Sequence, residues 1–274
     1  MAEDLTPTHY GRSDIVERIL AALPSDTDQA ALKPQDLFAF DQLHGRELLA
    51  TRDHVDRLAP RAGETILDIG SGIGGPARFI AANHDVSVQG IDLSPQFIDA
   101  ARRLTAKTGQ AERVSFVEAS AEHMPFEDES FDGAVCLYVG MNLPDKPAVL
   151  REARRVLRPG GRLIWSEALE TGHGPLPFPL PWASAPDASH TSTRPQLEAA
   201  ISSAGLEILA AVDETPLILE LARAAMQAGR APDPGIRVAN ETVLGPDFLL
   251  HRKNYVGGLM TGALLSMVYE LRRP

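Results

Sequence analysis

The sequence predicts an α/β protein whose core is a doubly wound parallel sheet, and three observations support this prediction. Short apolar runs rich in β-branched residues alternate with helical patterns from Thr65 to Glu167. A glycine-rich turn, Gly70 to Gly75, directly follows the first apolar run. An acidic residue, Asp92, ends the second run. This alternation is typical of right-handed βαβ units, which cover a parallel sheet on both faces.

Each predicted element has its own local signal. Ser94 is a suitable N-cap for a helix whose first residue is Pro95, and Gly109 ends that helix. The predicted strands are 65–69, 86–91, 114–118, 131–137, 162–167 and 206–212, with strand character again at 264–271. The predicted helices are 14–23, 47–58, 76–83, 95–107, 145–157, 195–204, 216–228 and 248–259.

The chain reads as one domain, residues 1–274, in four parts. We expect an N-terminal helical segment over 1–60, which is either a lid over the ligand or a simple packing layer. It is followed by a ligand-binding core over 64–168, a proline-rich substrate loop over 171–192 and a helical insertion over 214–262. The loop contains five prolines, which prevent regular structure, and two aromatic residues that can anchor it, Phe178 and Trp182. A loop of this length is usually functional.

Composition excludes several classes of partner. The formal net charge is −11 and the chain lacks a run rich in Lys and Arg, so nucleic acids and anionic membranes are not expected partners. The longest apolar stretch, 256–268, is too short to cross a bilayer. One cysteine, Cys136, fits a reducing compartment, and the predicted location is the cytoplasm. No cluster of Cys and His suggests a metal site.

The glycine turn alone does not identify the ligand. Gly70-x-Gly72-x-x-Gly75 matches the dinucleotide fingerprint, and Gly70-x-Gly72-x-Gly74 matches equally well. Asp68 lies two residues before the turn, where a carboxylate suits a ligand that carries an ammonium group. S-adenosylmethionine (SAM) carries such a group. Asp92, at the end of the second strand, is placed to accept hydrogen bonds from ribose hydroxyls.

Together these pieces resemble the class I SAM-dependent methyltransferases. The segments that carry the resemblance are 67–75 (Leu-Asp-Ile-Gly-Ser-Gly-Ile-Gly-Gly), 90–94 (Gly-Ile-Asp-Leu-Ser), 124–126 (Met-Pro-Phe), 130–132 (Ser-Phe-Asp) and 157–161 (Leu-Arg-Pro-Gly-Gly). The resemblance implies a Rossmann-like, doubly wound, seven-stranded sheet with an antiparallel last strand. The candidate for that strand is 264–271.

Four further segments are similar to a subgroup of that family. The segments 72–78, 41–44, 141–146 and 178–182 look like the sarcosine/dimethylglycine N-methyltransferases and the tocopherol-pathway methyltransferases. One position departs from the family pattern, because Ser120 stands where Asp is common before Ala121. The contact with adenine there is expected to be neutral and weaker.

These considerations yield a set of predicted site residues. The predicted cofactor-binding residues are Asp68, Gly70, Ser71, Gly72, Gly74, Asp92, Leu93, Gln96, Ser120, Ala121, Glu122 and Leu137. The predicted catalytic residues are His44 as a base, Tyr138 as a group that orients the acceptor or faces the sulfonium, and Asn142 as a hydrogen-bonding group. The predicted substrate-binding residues are Phe40, Gln42, Met141 and Trp182.

The predicted activity is transfer of a methyl group from SAM to an N, O or possibly C nucleophile of a small molecule, in a monomer or homodimer. Such a displacement mainly requires proximity, alignment and exclusion of water. Two alternatives stay open at this point. A nicotinamide-dependent dehydrogenase shares the glycine turn and Asp92, and a methyltransferase-fold protein can bind SAM without transferring its methyl group.

Overall fold

A seven-stranded sheet organises the residues that this computed structural model describes, 14–227 and 234–274. The strands are β1 (Thr65–Ile69), β2 (Ser87–Asp92), β3 (Val114–Glu118), β4 (Phe131–Leu137), β5 (Leu157–Glu170), β6 (Glu207–Asp213) and β7 (Leu264–Arg272). The described helices are α1 (Ile15–Ala22), α2 (Pro34–Asp41), α3 (Glu47–Leu58), α4 (Gly75–Asn83), α5 (Pro95–Lys107), α6 (Lys146–Val156), α7 (Arg194–Ser203), α8 (Thr215–Gln227), α9 (Pro234–Leu244) and α10 (Phe248–Thr261).

The strand order is β3-β2-β1-β4-β5-β7-β6. Strands β1 to β5 pair in parallel, whereas β7 runs antiparallel to both of its neighbours, β5 and β6. The predicted seven-stranded, doubly wound sheet with an antiparallel last strand is confirmed. The order reverses between β1 and β4, and a reversal of this kind opens a crevice at the carboxyl ends of the strands.

Apolar side chains cover both faces of the sheet. On one face, Val149, Leu150 and Ala153 of α6 pack with Leu197 and Ile201 of α7 over β1, β4 and β5. The other face is covered by apolar residues of α3, α4 and α5, such as Val55, Ile80 and Ile98. Burial on both faces explains why the central strands read as continuous apolar runs in the sequence.

The glycine turn after β1 depends on backbone conformations that other residues rarely adopt. Gly70 has a φ of 73° and Gly72 a φ of 52°. A Cβ atom at Gly70 would lie 2.5 Å from the Val139 side chain, whereas one at Gly72 would meet no atom within 4 Å. Gly70 is therefore required for packing, and Gly72 leaves open space above the turn.

Helices α1, α2 and α9 form one layer beside the glycine turn. Ile19 of α1, Leu37 of α2 and Val243 of α9 belong to a single buried cluster with Ile73 and Phe97. The predicted helical lid over 1–60 and insertion over 214–262 both contribute to this layer. Residues 1–13 of the lid and 228–233 of the insertion lie outside the described residues. None of the described helices has the length and apolar character that crossing a bilayer requires.

Candidate functional site

A cavity of about 460 Å³ lies at the carboxyl ends of β1, β2, β3 and β4, where the strand order reverses. Its floor is the glycine turn and the ends of these strands. Its walls come from the α2–α3 loop, the segment after β4, the proline-rich loop and α9. The volume falls within the range of about 300–1,000 Å³ that is usual for small-molecule sites.

Asp68 is a buried carboxylate at the bottom of the cavity. It is 1% exposed, and its Oδ2 has no hydrogen-bond partner among the described residues. Burial, with a further contribution from the nearby Asp92 carboxylate, raises the pKa of Asp68 from 3.8 to about 7. A buried, unpartnered carboxylate oxygen is costly in the free protein. The same oxygen is suited to bind a cation that enters the cavity.

Asp92 is held in place by the backbone around it. Its Oδ2 accepts a hydrogen bond from the Gly72 amide at 2.9 Å, and its Oδ1 accepts one from the Ser94 amide at 2.9 Å. Burial raises the pKa of this carboxyl, while the amide donors oppose that shift. Each oxygen keeps a second lone pair, so the carboxylate can still accept hydrogen bonds from a ligand in the cavity.

Ten of the twelve predicted cofactor-binding residues line this cavity. They are Asp68, Gly70, Ser71, Gly72, Asp92, Leu93, Ser120, Ala121, Glu122 and Leu137. Gly74 and Gln96 are not part of the lining. A Cβ at Gly74 would lie 2.6 Å from Phe116, so this glycine shapes the turn from below. Gln96 accepts a hydrogen bond from the Ser94 hydroxyl at 3.2 Å in the first turn of α5.

All three predicted catalytic residues, His44, Tyr138 and Asn142, line the cavity. The His44 and Tyr138 rings are stacked, with centroids 5.3 Å apart and planes inclined by 17°. Burial, together with the nearby His54, lowers the pKa of His44 from 6.5 to about 4. His44 is therefore a neutral imidazole at physiological pH, with one ring nitrogen available as a proton acceptor.

Tyr138 has an unusual backbone conformation, with a φ of 57° directly after β4. Its amide donates to the Ser166 carbonyl at 2.7 Å, and its hydroxyl lies 3.3 Å from Glu214 Oε2 and 3.3 Å from Ser266 Oγ. A non-glycine residue in this region costs about 1–3 kcal/mol, so the surroundings must enforce it. The conformation is one of those that cluster at functional sites.

A buried ionic group stands behind the Tyr138 hydroxyl. Glu214 is 5% exposed and forms an ion pair with Arg46, and its Oε2 lies 3.4 Å from His54 Nε2. Burial opposes ionisation of Glu214, but the hydrogen bond with His54 and the charge of Arg46 lower its pKa overall. Sequence analysis missed this group because 168 residues separate its acid from its arginine.

The four predicted substrate-binding residues are not part of the cavity lining, and their role in substrate binding stays a prediction. Phe40 packs into the cluster formed by α1, α2 and α9. The Gln42 side chain is buried between Asp41 and Thr51. Met141 and Trp182 belong to a buried apolar cluster beside the Tyr255 ring of α10. The three apolar side chains gain free energy from burial in the core, and the Gln42 amide is compensated there by its two hydrogen bonds.

Several lining residues were not foreseen from the sequence. They are Asp41, Leu43, Pro181, His190 and Leu244, among others. His190 lies near the end of the proline-rich loop, and its amide donates to the Met141 carbonyl at 2.9 Å. Leu244 lies at the end of α9, a helix that the sequence analysis did not predict. Its β-branched and polar residues have weak helix propensity, so only tertiary packing identifies it.

Comparison with known proteins identifies the family. Residues 67–165 match the family described as "Methyltransferase domain". The methyltransferase phqN of Penicillium fellutanum is 30% identical over 249 residues, which cover 88% of this chain and 68% of phqN. The chain belongs to the class I SAM-dependent methyltransferases. The predicted family is thereby confirmed, and SAM is the methyl donor of this family.

A second curated relative and a solved structure are also similar to this chain. Methyltransferase GfsG of Streptomyces halstedii is 34% identical over 159 residues, covering 58% of this chain and 57% of GfsG. The geranyl diphosphate C-methyltransferase of Streptomyces coelicolor A3(2) has the same fold, with a TM-score of 0.69 at 18% identity, over 99% of this chain and 97% of that one. The chain spans about half the length of several curated relatives that it matches, at 57%, 49% and 46%.

Proposed function

We propose that this methyltransferase transfers the methyl group of SAM to an N, O or C nucleophile of a small molecule. The observation that carries the proposal is the Asp68 carboxylate at the floor of the cavity, which is 1% exposed and whose Oδ2 meets no hydrogen-bond donor in the described part of the chain. The amino-acid end of SAM carries an ammonium group of the complementary charge. The open space above Gly72 allows a ligand to approach the turn closely.

The remaining lining residues fit the other parts of SAM. Asp92, fixed by two amide donors, is suited to the ribose hydroxyls. Leu93 is 51% exposed at the mouth of the cavity and can cover one face of adenine. The Ser120 hydroxyl accepts a hydrogen bond from the Glu122 amide at 3.2 Å, which orders the segment proposed to contact the adenine edge. Leu137, at the end of β4, would flank the methionine arm.

When bound, SAM supplies a methyl group attached to a positively charged sulfur that is already a good leaving group. The chain therefore mainly holds the acceptor in line and excludes water. The stacked His44 and Tyr138 rings form the wall that the acceptor would meet. His44, neutral because its pKa is lowered to about 4, is the proposed proton acceptor when the nucleophile carries a proton. Asn142 supplies an amide for hydrogen bonding.

The charges of the lining favour a neutral or cationic acceptor. The cavity presents the carboxylates of Asp68, Asp92 and Glu122, and a fourth, Asp41, is paired with Arg78. An anionic acceptor would be repelled by this set of charges. Apolar side chains make up most of the remaining wall, so an apolar molecule with a hydroxyl or amine group fits best.

The four-part organisation predicted from the sequence enters this proposal. Segments from the 1–60 lid and the 214–262 insertion would close the cavity over the 64–168 core, and residues 181 and 190 of the 171–192 loop would form the acceptor side. The acceptor is the only partner proposed. A cytoplasmic location and a monomeric or homodimeric state remain predictions.

Calorimetric titration with SAM tests the cofactor part of the proposal. Asp92→Ala removes the proposed acceptor of two ribose hydrogen bonds, so SAM binding should weaken by about 2–3 kcal/mol. Asp99→Ala, which removes an exposed carboxylate of α5, is the matched control and should leave SAM affinity unchanged. Equal SAM affinity in the wild type and Asp92→Ala, or tighter binding of NAD than of SAM, would contradict the assignment.

Incubation with methyl-labelled SAM tests the transfer itself. A panel of small amines, phenols, alcohols and carboxylic acids would be screened by mass spectrometry for a gain of one methyl group. We expect labelled products from neutral or amine acceptors and little from carboxylates. SAM binding without any labelled product across the panel would favour a protein of this fold that does not transfer methyl groups.

A further inference from the structure

Four side chains form a continuous buried relay of hydrogen bonds from Arg78 in α4 to His44. Arg78 Nη2 donates to Asp41 Oδ2 at 2.9 Å, and Gln42 Nε2 donates to Asp41 Oδ1 at 2.8 Å. Thr51 Oγ1 donates to Gln42 Oε1 at 2.5 Å and lies 2.9 Å from His44 Nε2. Of these residues, Asp41, Gln42, Thr51 and Arg78 are each no more than 2% exposed.

The ion pair at one end of the relay determines the direction of its first hydrogen bond. Both side chains of the Arg78–Asp41 pair are 0% exposed. Burial raises the pKa of Asp41, but a guanidinium stays charged, and a neutral partner would leave that charge buried and unpaired. Asp41 is therefore a carboxylate and accepts hydrogen bonds only. The neighbouring Gln42 must present its NH₂ group to Asp41, because its carbonyl oxygen would be repelled there.

The remaining hydrogen bonds follow from this orientation. Because the Gln42 NH₂ group faces Asp41, its carbonyl oxygen faces Thr51, and the Thr51 hydroxyl must donate its only proton to that oxygen. Thr51 Oγ1 can then only accept a hydrogen bond from His44 Nε2. The proton of the neutral imidazole is consequently on Nε2, and Nδ1 carries the lone pair.

We propose that the Asp41–Gln42–Thr51 relay is a positioning device that holds His44 as the Nε2–H tautomer and so makes Nδ1 the proton acceptor of the site. Thr51 and Gln42 thereby acquire a role in catalysis without contacting the ligand. Their part in catalysis depends on the proposed methyl transfer, whereas the tautomer can be tested without it.

The surroundings of Nδ1 fit this role. The Gly45 carbonyl oxygen lies 3.3 Å from Nδ1, where it gains a hydrogen bond only after Nδ1 has taken up a proton. Besides burial, the charged or titratable groups that affect His44 are His54 and Arg46, which disfavour the imidazolium, and Glu214, which favours it. The Tyr138 ring holds the imidazole plane from the other side. The proton that the acceptor loses would move to Nδ1 and then to solvent.

Nitrogen-15 NMR of protein labelled at histidine tests the tautomer directly. The His44→Gln variant identifies the His44 signals among the eight histidines of the chain. We expect a protonated, pyrrole-type Nε2 and a pyridine-type Nδ1 in the wild type and in Thr51→Ser. In Thr51→Val, the Nε2 proton loses its acceptor, so the population should shift toward Nδ1–H, which can donate to Gly45. A wild-type protein with Nδ1–H, or an unchanged tautomer in Thr51→Val, would overturn the proposal.

Kinetics of the same variants separate positioning from structure. Thr51→Val should lower kcat by about 10–100-fold for an acceptor that must lose a proton, while SAM affinity stays within about twofold of wild type. Thr51→Ser should restore most of kcat, since it keeps the hydroxyl. If Thr51→Val unfolds, Gln42→Leu, which breaks the relay one step earlier, takes its place in both measurements. Methyl transfer that is absent in the wild type would refute the proposed function while leaving the NMR result valid.

Discussion

The His44 imidazole and the Tyr138 phenol are stacked, with centroids 5.3 Å apart, although one residue comes from the α2–α3 loop and the other follows β4. The contact joins the helices that precede the sheet to the carboxyl end of a central strand. Each ring is held from behind by separate buried polar groups, Thr51 for His44 and Glu214 for Tyr138. The wall of the cavity is therefore fixed before any ligand binds, which reduces the cost of ordering it.

The raised pKa of Asp68 predicts that SAM binding depends on pH. A bound ammonium group requires the carboxylate, whereas below pH 7 the free protein holds Asp68 protonated. The SAM dissociation constant should thus rise by about tenfold per pH unit as pH falls well below 7 and level off above about pH 8. Calorimetry in buffers of different ionisation enthalpy should show proton release at pH 6. A constant affinity from pH 5.5 to 7.5 would contradict this role for Asp68.

The same shift predicts a gain in stability on removing the Asp68 charge. The folded-state pKa lies above the ordinary value of 3.8, so ionisation of Asp68 costs stability increasingly as pH rises from about 4 to 7. Asp68→Asn should raise the unfolding free energy of the ligand-free protein by about 1–3 kcal/mol at pH 7.5 and should abolish SAM binding. Urea unfolding at pH 4.5 and 7.5 checks the sign, since the gain should nearly vanish at the lower pH.

Gly72 and Gly63 offer a matched test of the glycine turn. Both have positive φ, 52° and 82°, and a Cβ at either would meet no atom within 4 Å. Substitution by Val therefore imposes a similar backbone strain of about 1–2 kcal/mol at each. Only Gly72 lines the cavity, so Gly72→Val should also weaken SAM binding by about 1–3 kcal/mol, whereas Gly63→Val should bind SAM normally. Similar SAM affinities in the two variants would place the ligand elsewhere.

Trp182 is expected to act on stability rather than on the acceptor. It is 6% exposed, its ring meets Tyr255 edge-on at 5.9 Å, and its Nε1 donates to Ser189 Oγ at 3.0 Å. Trp182→Ala should lower the free energy of unfolding by about 3–5 kcal/mol, and Trp182→Phe should lose less because it keeps the ring contact. Denaturant unfolding gives both values. If Trp182→Ala left the stability unchanged and raised the KM for the acceptor, Trp182 would instead be a residue of the acceptor pocket.

Glu214 and Glu270 test the buried ion pair against a more exposed one. Glu214 pairs with Arg46, and both side chains are at most 5% exposed, while Glu270 pairs with Arg57 at about 30% exposure. Glu214→Ala leaves the buried Arg46 guanidinium with only the half-exposed Asp53 carboxylate as an ionic partner among the described residues, and should cost up to about 3–5 kcal/mol of stability. Glu270→Ala should cost less than about 1 kcal/mol. The urea concentrations at the unfolding midpoints of the two variants measure this difference. Equal midpoints would mean that the ion pair between Arg46 and Glu214 contributes little to stability.

Local sequence signals predicted the sheet well, together with most of the residues that line the cavity at the ends of β1 to β3, because those features depend on neighbouring residues. The run 65–69, the glycine turn and Asp92 each carry their structural reason within a few positions. The acceptor side depends on contacts between distant segments. Nothing near Trp182 in the sequence says that Tyr255 will cover its ring, and nothing near Arg46 indicates its pairing with Glu214. Apolar residues in a loop therefore predict that the loop is partly buried, but the residues against which they pack are known only from the fold.

The placement of β7 between β5 and β6 has a consequence for biosynthesis. β6 precedes β7 in the chain, yet β7 is its only partner among the described strands. During translation β1 to β5 can assemble as soon as they emerge, while β6 exposes an unpaired edge until residues 264–272 leave the ribosome. Chains stalled before that point should be captured by chaperones that bind exposed strand edges, and chains extended past it should be released.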